Sequence, residues 1–196
     1  MQILPQAIPE VLLLVPQVHG DARGFFVETA RQSVLQEAGI PELVQHNQSR
    51  SRRGVLRGLH YQLVQPQGKL VRCARGQVFD VAVDVRRGSP MFGQSVGVLL
   101  DDVAHHQLWV PPGFAHGFLV LSEVADFCYL CSEYYHPQSE QGIAWNDPAL
   151  GITWPALAEN AAIQLSAKDQ GNPRLAEQSP DHLPCLPSTA LNITAT

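Results

Sequence analysis

The chain is short of charge. Asp, Glu, Lys and Arg make up 16% of its 196 residues, against about 25% in an average soluble domain, which argues against a charged coiled coil, a charged disordered chain and a basic nucleic-acid tail. It lacks a long apolar run: Val11–Val15 is closed by Pro16, far short of the ~20 residues a helix needs to cross a bilayer. No base precedes Arg23, so the positive n-region of a signal peptide is missing and a cytoplasmic location is expected. Cysteine is sparse. Cys73, Cys128, Cys131 and Cys185 are expected as free thiols in a reducing compartment. Cys128-x-x-Cys131 is half a zinc motif without its second pair, and on a strand the two would face opposite sides, as packing residues do. The most local absence is of carboxylates. No acidic residue lies between Glu42 and Asp80, a window that holds Arg50, Arg52, Arg53, Arg57, Lys69, Arg72 and Arg75, seven of the 13 bases. The remainder keeps six bases against 18 acids. A basic window in an acidic chain predicts a small anionic ligand, while the acidic remainder opposes a polyanion such as RNA or DNA.

What is present is punctuation. Fifteen Gly and 15 Pro break the chain into short apolar pieces, which predicts an all-β fold, a sandwich or jelly-roll barrel of roughly nine strands. The clearest piece is Val78–Val85, with Phe79, Val81, Val83 and Val85 on one face and Asp80, Ala82 and Asp84 on the other. The others are Val11–Val15, Gly24–Glu28, Leu56–Leu63, Lys69–Ala74, Ser95–Leu100, His106–Val110, Gly117–Leu121 and Ala125–Tyr135. A helix is expected over Arg31–Ala38, stopped by Gly39 and Pro41, and a shorter one over Pro155–Asn160. From Ala176 onward, prolines scattered among Ser, Thr and Asn predict an extended or disordered tail after a domain of residues 1–175.

Two histidines stand out. His60 sits in Leu56-Arg57-Gly58-Leu59-His60-Tyr61-Gln62, where a polar inward face would line a pocket. His116 sits in Pro111-Pro112-Gly113-Phe114-Ala115-His116, which resembles the second motif of the cupin superfamily. The first cupin motif would need His-x-His and a downstream Glu. The chain has His60-Tyr61-Gln62 instead, so two histidines without a third ligand make a poor metal site, and no metal is expected. Tyr129 and Tyr135 share strand parity, so both are candidates for the interior, where a buried phenol can act as a general acid. Lys69 opens a strand inside the basic window. Asp169, next to Lys168, is a candidate partner for a histidine. Arg23 offers a bidentate fork for phosphate.

Taken together, the strings resemble the dTDP-4-dehydrorhamnose 3,5-epimerase family of cofactor-free, cupin-class sugar-nucleotide enzymes. The matching stretches run from Gly20-Asp21-x-Arg23-Gly24-x-Phe26-x-Glu28 and Gln45-x-Asn47-x-Ser49-x-Ser51 through Leu56–Gln62, Gly68–Cys73, Phe79–Asp84 and Leu108–Ser122. They continue with Tyr134-Tyr135-x-Pro137, Trp145–Pro148 and Leu165–Asp169. The resemblance implies an all-β, cupin-like jelly-roll (double-stranded β-helix) with a few short flanking helices. It implies epimerisation at C3 and C5 of dTDP-4-dehydro-6-deoxy-D-glucose, without a cofactor, in a homodimer. It assigns His60 as general base, Asp169 as its partner, Tyr129 as proton donor and Lys69 to the C4 oxygen. Arg23, Phe26, Glu28, Gln45, Asn47, Arg57, His116, Tyr135, Glu140 and Lys168 fall at substrate-contacting positions, with Tyr135 stacking on thymine. A mono-epimerase or a ketoisomerase on a related dTDP-sugar would carry much the same residues. A metal-dependent cupin built on His60 and His116 is the more distant alternative.

Overall fold

The computed structural model describes residues 1–158 and 161–186. Among these the chain is mostly β-sheet. In order the strands are β1 (Gln2–Pro5), β2 (Leu12–Val15), β3 (Val18–Asp21), β4 (Gly24–Val27), β5 (Gln45–Arg52), β6 (Leu56–Gln62), β7 (Lys69–Arg75), β8 (Gln77–Asp84), β9 (Ser95–Asp101), β10 (Gln107–Val110), β11 (Phe114–Val120), β12 (Val124–Cys131) and β13 (Glu140–Gly142). Two short helices, α1 (Gln32–Glu37) and α2 (Ala167–Gln170), flank them. One sheet runs β1-β2-β10-β7-β12-β5, a second runs β13-β6-β11-β8-β9, and β3 and β4 form a separate hairpin. No helix of the described residues is long and apolar enough to cross a membrane.

The sheets face each other over a core in which Val71, Cys73, Leu108, Val110 and Phe127 of the first meet Val78, Ala82, Val96, Leu100, Phe114 and Phe118 of the second. Each Val, Leu or Phe among them, fully buried, contributes about 1.5–3 kcal/mol. The second sheet is covered on its other side as well. Val81, Val83 and Val85 pack there with Leu59, Tyr61, Ile143, Leu150, Leu175 and Leu183, so both faces of β8 are packed. Helix α1 lays Leu35 over the outside of the first sheet, against Leu14, Leu70 and Trp109. Asp84, on the inward face of β8, is spent structurally: it pairs with the buried Arg86 at 2.7 Å, whose guanidinium also holds Glu10 and lies 4.5 Å over the ring of Phe114. That cluster ties the N-terminal segment to the end of the sandwich.

Several expectations need correction. β5 (QHNQSRSR) carries no apolar residue, so hydrophobic alternation cannot reveal it, yet it forms an eight-residue ladder with β12. β1, β3 and β13 were likewise not expected. The strand expected over Ala125–Tyr135 stops at Cys131, so Tyr135 belongs to a loop and its parity with Tyr129 has no meaning. The helix expected over Pro155–Asn160 ends in residues 159–160, outside the described residues, and residues 155–157 are irregular. Residues 176–186, expected as an extended or disordered tail, take part in two 3-10 turns, Leu175–Glu177 and Pro180–His182, and lie against the sandwich. Tyr61 donates to the His182 carbonyl at 2.7 Å, Gln178 donates to Tyr61 Oη at 3.0 Å, and Leu183 is buried. The last ten residues of the expected tail lie outside the described residues.

Candidate active site

The site begins with an irregularity between β6 and β11. His116 pairs with His60, but two residues further along β11 Phe118 pairs with Arg57, three residues back along β6. One extra residue on β6 has been absorbed. Strict alternation would send Arg57 and His60 to opposite faces; the bulge turns both inward. Glycines make it possible. A Cβ on Gly58 would lie 2.6 Å from the Gly117 Cα and from the His116 carbonyl oxygen, and one on Gly117 would lie 2.5 Å from the Arg57 carbonyl oxygen. Gly58 also holds φ at +115°, a conformation that side chains disfavour.

His60 and His116 open into a cavity of about 610 Å³ between the two sheets, in the size range of a small-molecule site. β5 supplies Gln45, Asn47 and Ser49, β7 supplies Lys69, and β12 supplies Phe127 and Tyr129. Glu140 comes from β13, Tyr135 from the loop after β12, and Ser166, Lys168 and Asp169 from α2 and its cap. The hydrophobic pattern missed β5 because its inner face serves this cavity and its outer face serves solvent. Tyr135 is held there by its own backbone N–H, which donates to Gln45 Oε1 at 2.9 Å. Arg57 donates to Ser51 Oγ at 3.1 and 3.2 Å, which aims the guanidinium along the wall.

A short polar contact in the cavity joins His60 Nε2 to Asp169 Oδ1 at 2.5 Å. Ser166 caps α2 by accepting the Asp169 backbone N–H at 3.1 Å, which fixes the turn that presents the carboxylate. Burial alone would raise the Asp169 carboxyl, but hydrogen bonds from His60, Ser166 and the Gly58 backbone outweigh it and hold the group below the ordinary carboxylate range. An ionised Asp169 can only accept, so Nε2 carries the proton and Nδ1 is left with the lone pair. The arrangement is therefore an oriented imidazole whose Nδ1 faces the cavity, with the Glu140 carboxylate 3.9 Å away.

Across the cavity, burial pushes the Tyr129 phenol up, reinforced by Cys131 and opposed by Arg57, so it stays protonated and available as a donor. Burial pulls the Lys69 ammonium down, against the attraction of Cys131, Glu140 and Asp80. Beside His60, Glu140 Oε2 accepts from Tyr135 Oη at 2.9 Å and from Lys168 Nζ, while its Oε1 lies 3.9 Å from His60 Nδ1. Desolvation works to raise Glu140, but Lys168, His60 and Tyr135 together hold it low.

Eleven of the 14 sequence-derived candidates line this one cavity. Arg23, Phe26 and Glu28 do not. They belong to the β3–β4 hairpin and the turn after it. Arg23 pairs with Asp21 at 2.5 Å, Phe26 is 70% exposed, and Glu28 pairs with Arg31 at 2.7 Å. The sequence reading also missed a residue. Asp80 Oδ2 meets His116 Nε2 at 2.9 Å, both groups buried, a second oriented imidazole on the cavity wall. The signal was available: a carboxylate on the inward face of the most apolar strand must have a partner.

A β-sandwich enclosing an oriented imidazole, a half-buried phenol and a half-buried lysine has the groups that acid–base chemistry requires. Comparison with known proteins specifies which kind. The family model described as dTDP-4-dehydrorhamnose 3,5-epimerase matches residues 5–177, and the chain belongs to that family. The dTDP-4-dehydrorhamnose 3,5-epimerase of Pseudomonas aeruginosa is 56% identical over 166 residues, 84% of this chain and 90% of its own length. A crystal structure of dTDP-6-deoxy-D-glucose-3,5-epimerase from Legionella pneumophila, in complex with dTDP-4-keto-L-rhamnose, superposes with a TM-score of 0.91 at 50% identity, covering 95% of this chain and 99% of that one. A 3'-monoepimerase from Streptomyces bikiniensis, in complex with dTDP-quinovose, is 36% identical, with a TM-score of 0.85 and 92% of each chain covered.

Proposed function

We propose that this chain epimerises C3 and C5 of dTDP-4-dehydro-6-deoxy-D-glucose to give dTDP-4-dehydro-L-rhamnose, on the route to dTDP-L-rhamnose. The observation that carries the residue roles is the His60–Asp169 pair, 2.5 Å apart, in a cavity whose other walls hold Tyr129 and Lys69.

Both carbons flank the C4 ketone, so loss of either C–H proton gives an enolate. His60 Nδ1 takes the proton, and Asp169 steadies the imidazolium that forms. Charge gathers on the C4 oxygen, where Lys69 opposes it. Inversion requires a new proton from the other face, and Tyr129 gives it. Substrate and product are at the same oxidation level, so proton transfers complete each inversion. Gln45, Asn47, Arg57, His116, Tyr135, Glu140 and Lys168 hold the substrate, with Tyr135 stacked on the thymine. The relatives' dTDP-sugar complexes support that reading.

The finer architecture is a cupin-like jelly roll spanning residues 1–175, with the following segment packed against it. We read the enzyme as a cytoplasmic homodimer in which Arg23, Phe26 and Glu28 serve the partner's cavity. The exposure of Phe25 and Phe26, at 60% and 70%, on a hairpin away from the chain's own site supports this. Product analysis tests the function: reaction, chemical reduction at C4 and sugar identification should yield products inverted at both C3 and C5. Inversion at one carbon would make the chain a mono-epimerase; a keto group at C3 would make it a ketoisomerase.

A further inference from the structure

Glu140 occupies a junction. One oxygen is engaged by Lys168 Nζ and Tyr135 Oη; the other stands 3.9 Å from His60 Nδ1, the nitrogen that the Asp169 contact leaves free to take a proton. With Lys168 seated on it, the carboxylate is electrostatically quenched. Lys168 has a half-exposed side chain, 54% accessible, at the rim of the cavity, so an entering anion can draw it away.

We propose that Glu140 is a positioning residue through which nucleotide binding raises the basicity of His60. The diphosphate takes Lys168 from Glu140, and the unquenched carboxylate then favours the imidazolium form of His60. The inference rests on the reading of the cavity as a dTDP-sugar site. It makes the base strongest only when substrate is present. Other groups face His60 and bear on its charge. Asp169 and Lys168 approach from α2, Glu140 from β13, His116 from β11 with Asp80 of β8 behind it, and Arg57 from β6. Tyr135 stands on the neighbouring loop, and Lys69 and Tyr129 lie across the cavity. Of these, the Lys168–Glu140 pair combines an exposed cation with a carboxylate beside Nδ1. By reciprocity, protonation of His60 strengthens dTDP binding by the same factor.

The test is an NMR titration of protein labelled at histidine 13Cε1, with His60 assigned from H60N, in the absence and presence of saturating dTDP. A full charge exposed at about 4 Å moves a titration midpoint by about one pH unit even at the dielectric of bulk water, and by more where the groups are mostly buried. Wild-type His60 should therefore shift upward by about one unit or more when dTDP binds. In E140Q the shift should fall to a small fraction of that. In K168M the midpoint should be high already and change little on binding. A wild-type midpoint unmoved by bound dTDP, an equal shift in E140Q, or a K168M midpoint equal to that of the free wild type would overturn the proposal while leaving the nucleotide site intact. Failure of dTDP to bind the wild-type protein, followed by the same spectra, would overturn both.

Discussion

Replacing Asp169 by Asn removes a charge at nearly constant size. The carboxylate is 4% exposed and holds His60 Nε2 at 2.5 Å, so its hydrogen bond to the imidazolium formed during proton abstraction is charge-assisted and desolvated. Hydrogen bonds of that kind contribute about 1.5–3 kcal/mol, which corresponds to about 10- to 150-fold in rate. An amide can also donate to Nε2, which favours the tautomer with its proton on Nδ1 and removes the lone pair from the working nitrogen. The expected loss in kcat is therefore about 100-fold or more, with dTDP affinity unchanged within about twofold, because Asp169 supports the base rather than the nucleotide. Steady-state kinetics with dTDP-4-dehydro-6-deoxy-D-glucose, paired with calorimetric titration of dTDP, measures both. Unchanged kcat, or a loss located wholly in dTDP binding, would refute the reasoning. The same residue gives a signed pH effect. Its folded carboxyl lies below the ordinary value of 3.8, so its contribution to stability is fully present above the ordinary value and is lost as pH falls through the lower folded one. D169N should flatten the acid limb of a Tm-against-pH curve in that range.

Tyr129→Phe should still lose the substrate C–H proton to His60 but return it without inversion, with kcat for epimerisation down about 100-fold or more; full turnover in Y129F would reassign the acid. Lys69→Met should abolish most activity yet raise Tm, since burial opposes the charged form of this lysine and a similar apolar side chain removes that cost, worth about 1 kcal/mol or more; a lower Tm in thermal unfolding would contradict this. Gly117→Ala should cost about 1–3 kcal/mol, because its Cβ would press on the Arg57 carbonyl at the bulge that aims Arg57 and His60 inward; denaturant unfolding reads the change, and wild-type stability would reject that role for the glycine. Mixing R23A with H60A protein should restore activity that neither has alone if the hairpin serves the partner's cavity; no recovery after subunit exchange would argue against it.

The sequence made some parts of this molecule legible and hid others for physical reasons. β8 was plain because both of its faces are packed, which leaves a long apolar run. β5 was invisible to the same reasoning, since a strand with one face in the ligand cavity and the other in solvent has nothing apolar to display. Only the family-like string Gln45-x-Asn47-x-Ser49-x-Ser51 drew notice to it. His60 and Arg57 were both singled out, but alternation alone would have separated them. The bulge that brings them together depends on Gly58 meeting Gly117 across two strands, a contact no local pattern encodes. Asp169 lies 109 residues from His60, so that pairing too is a product of the fold. Tyr135 reached the cavity for a reason other than the one expected, through its backbone bond to Gln45 rather than through strand parity.

The central claim is that one oriented imidazole removes the protons that flank the C4 ketone. Incubation of enzyme and dTDP-4-dehydro-6-deoxy-D-glucose in D2O, followed carbon by carbon by NMR, tests it most directly. The account predicts deuterium entering at both C3 and C5 with wild-type protein and at neither with H60N. Deuterium entering at the wild-type rate with H60N, or failing to enter with the wild type, would contradict it.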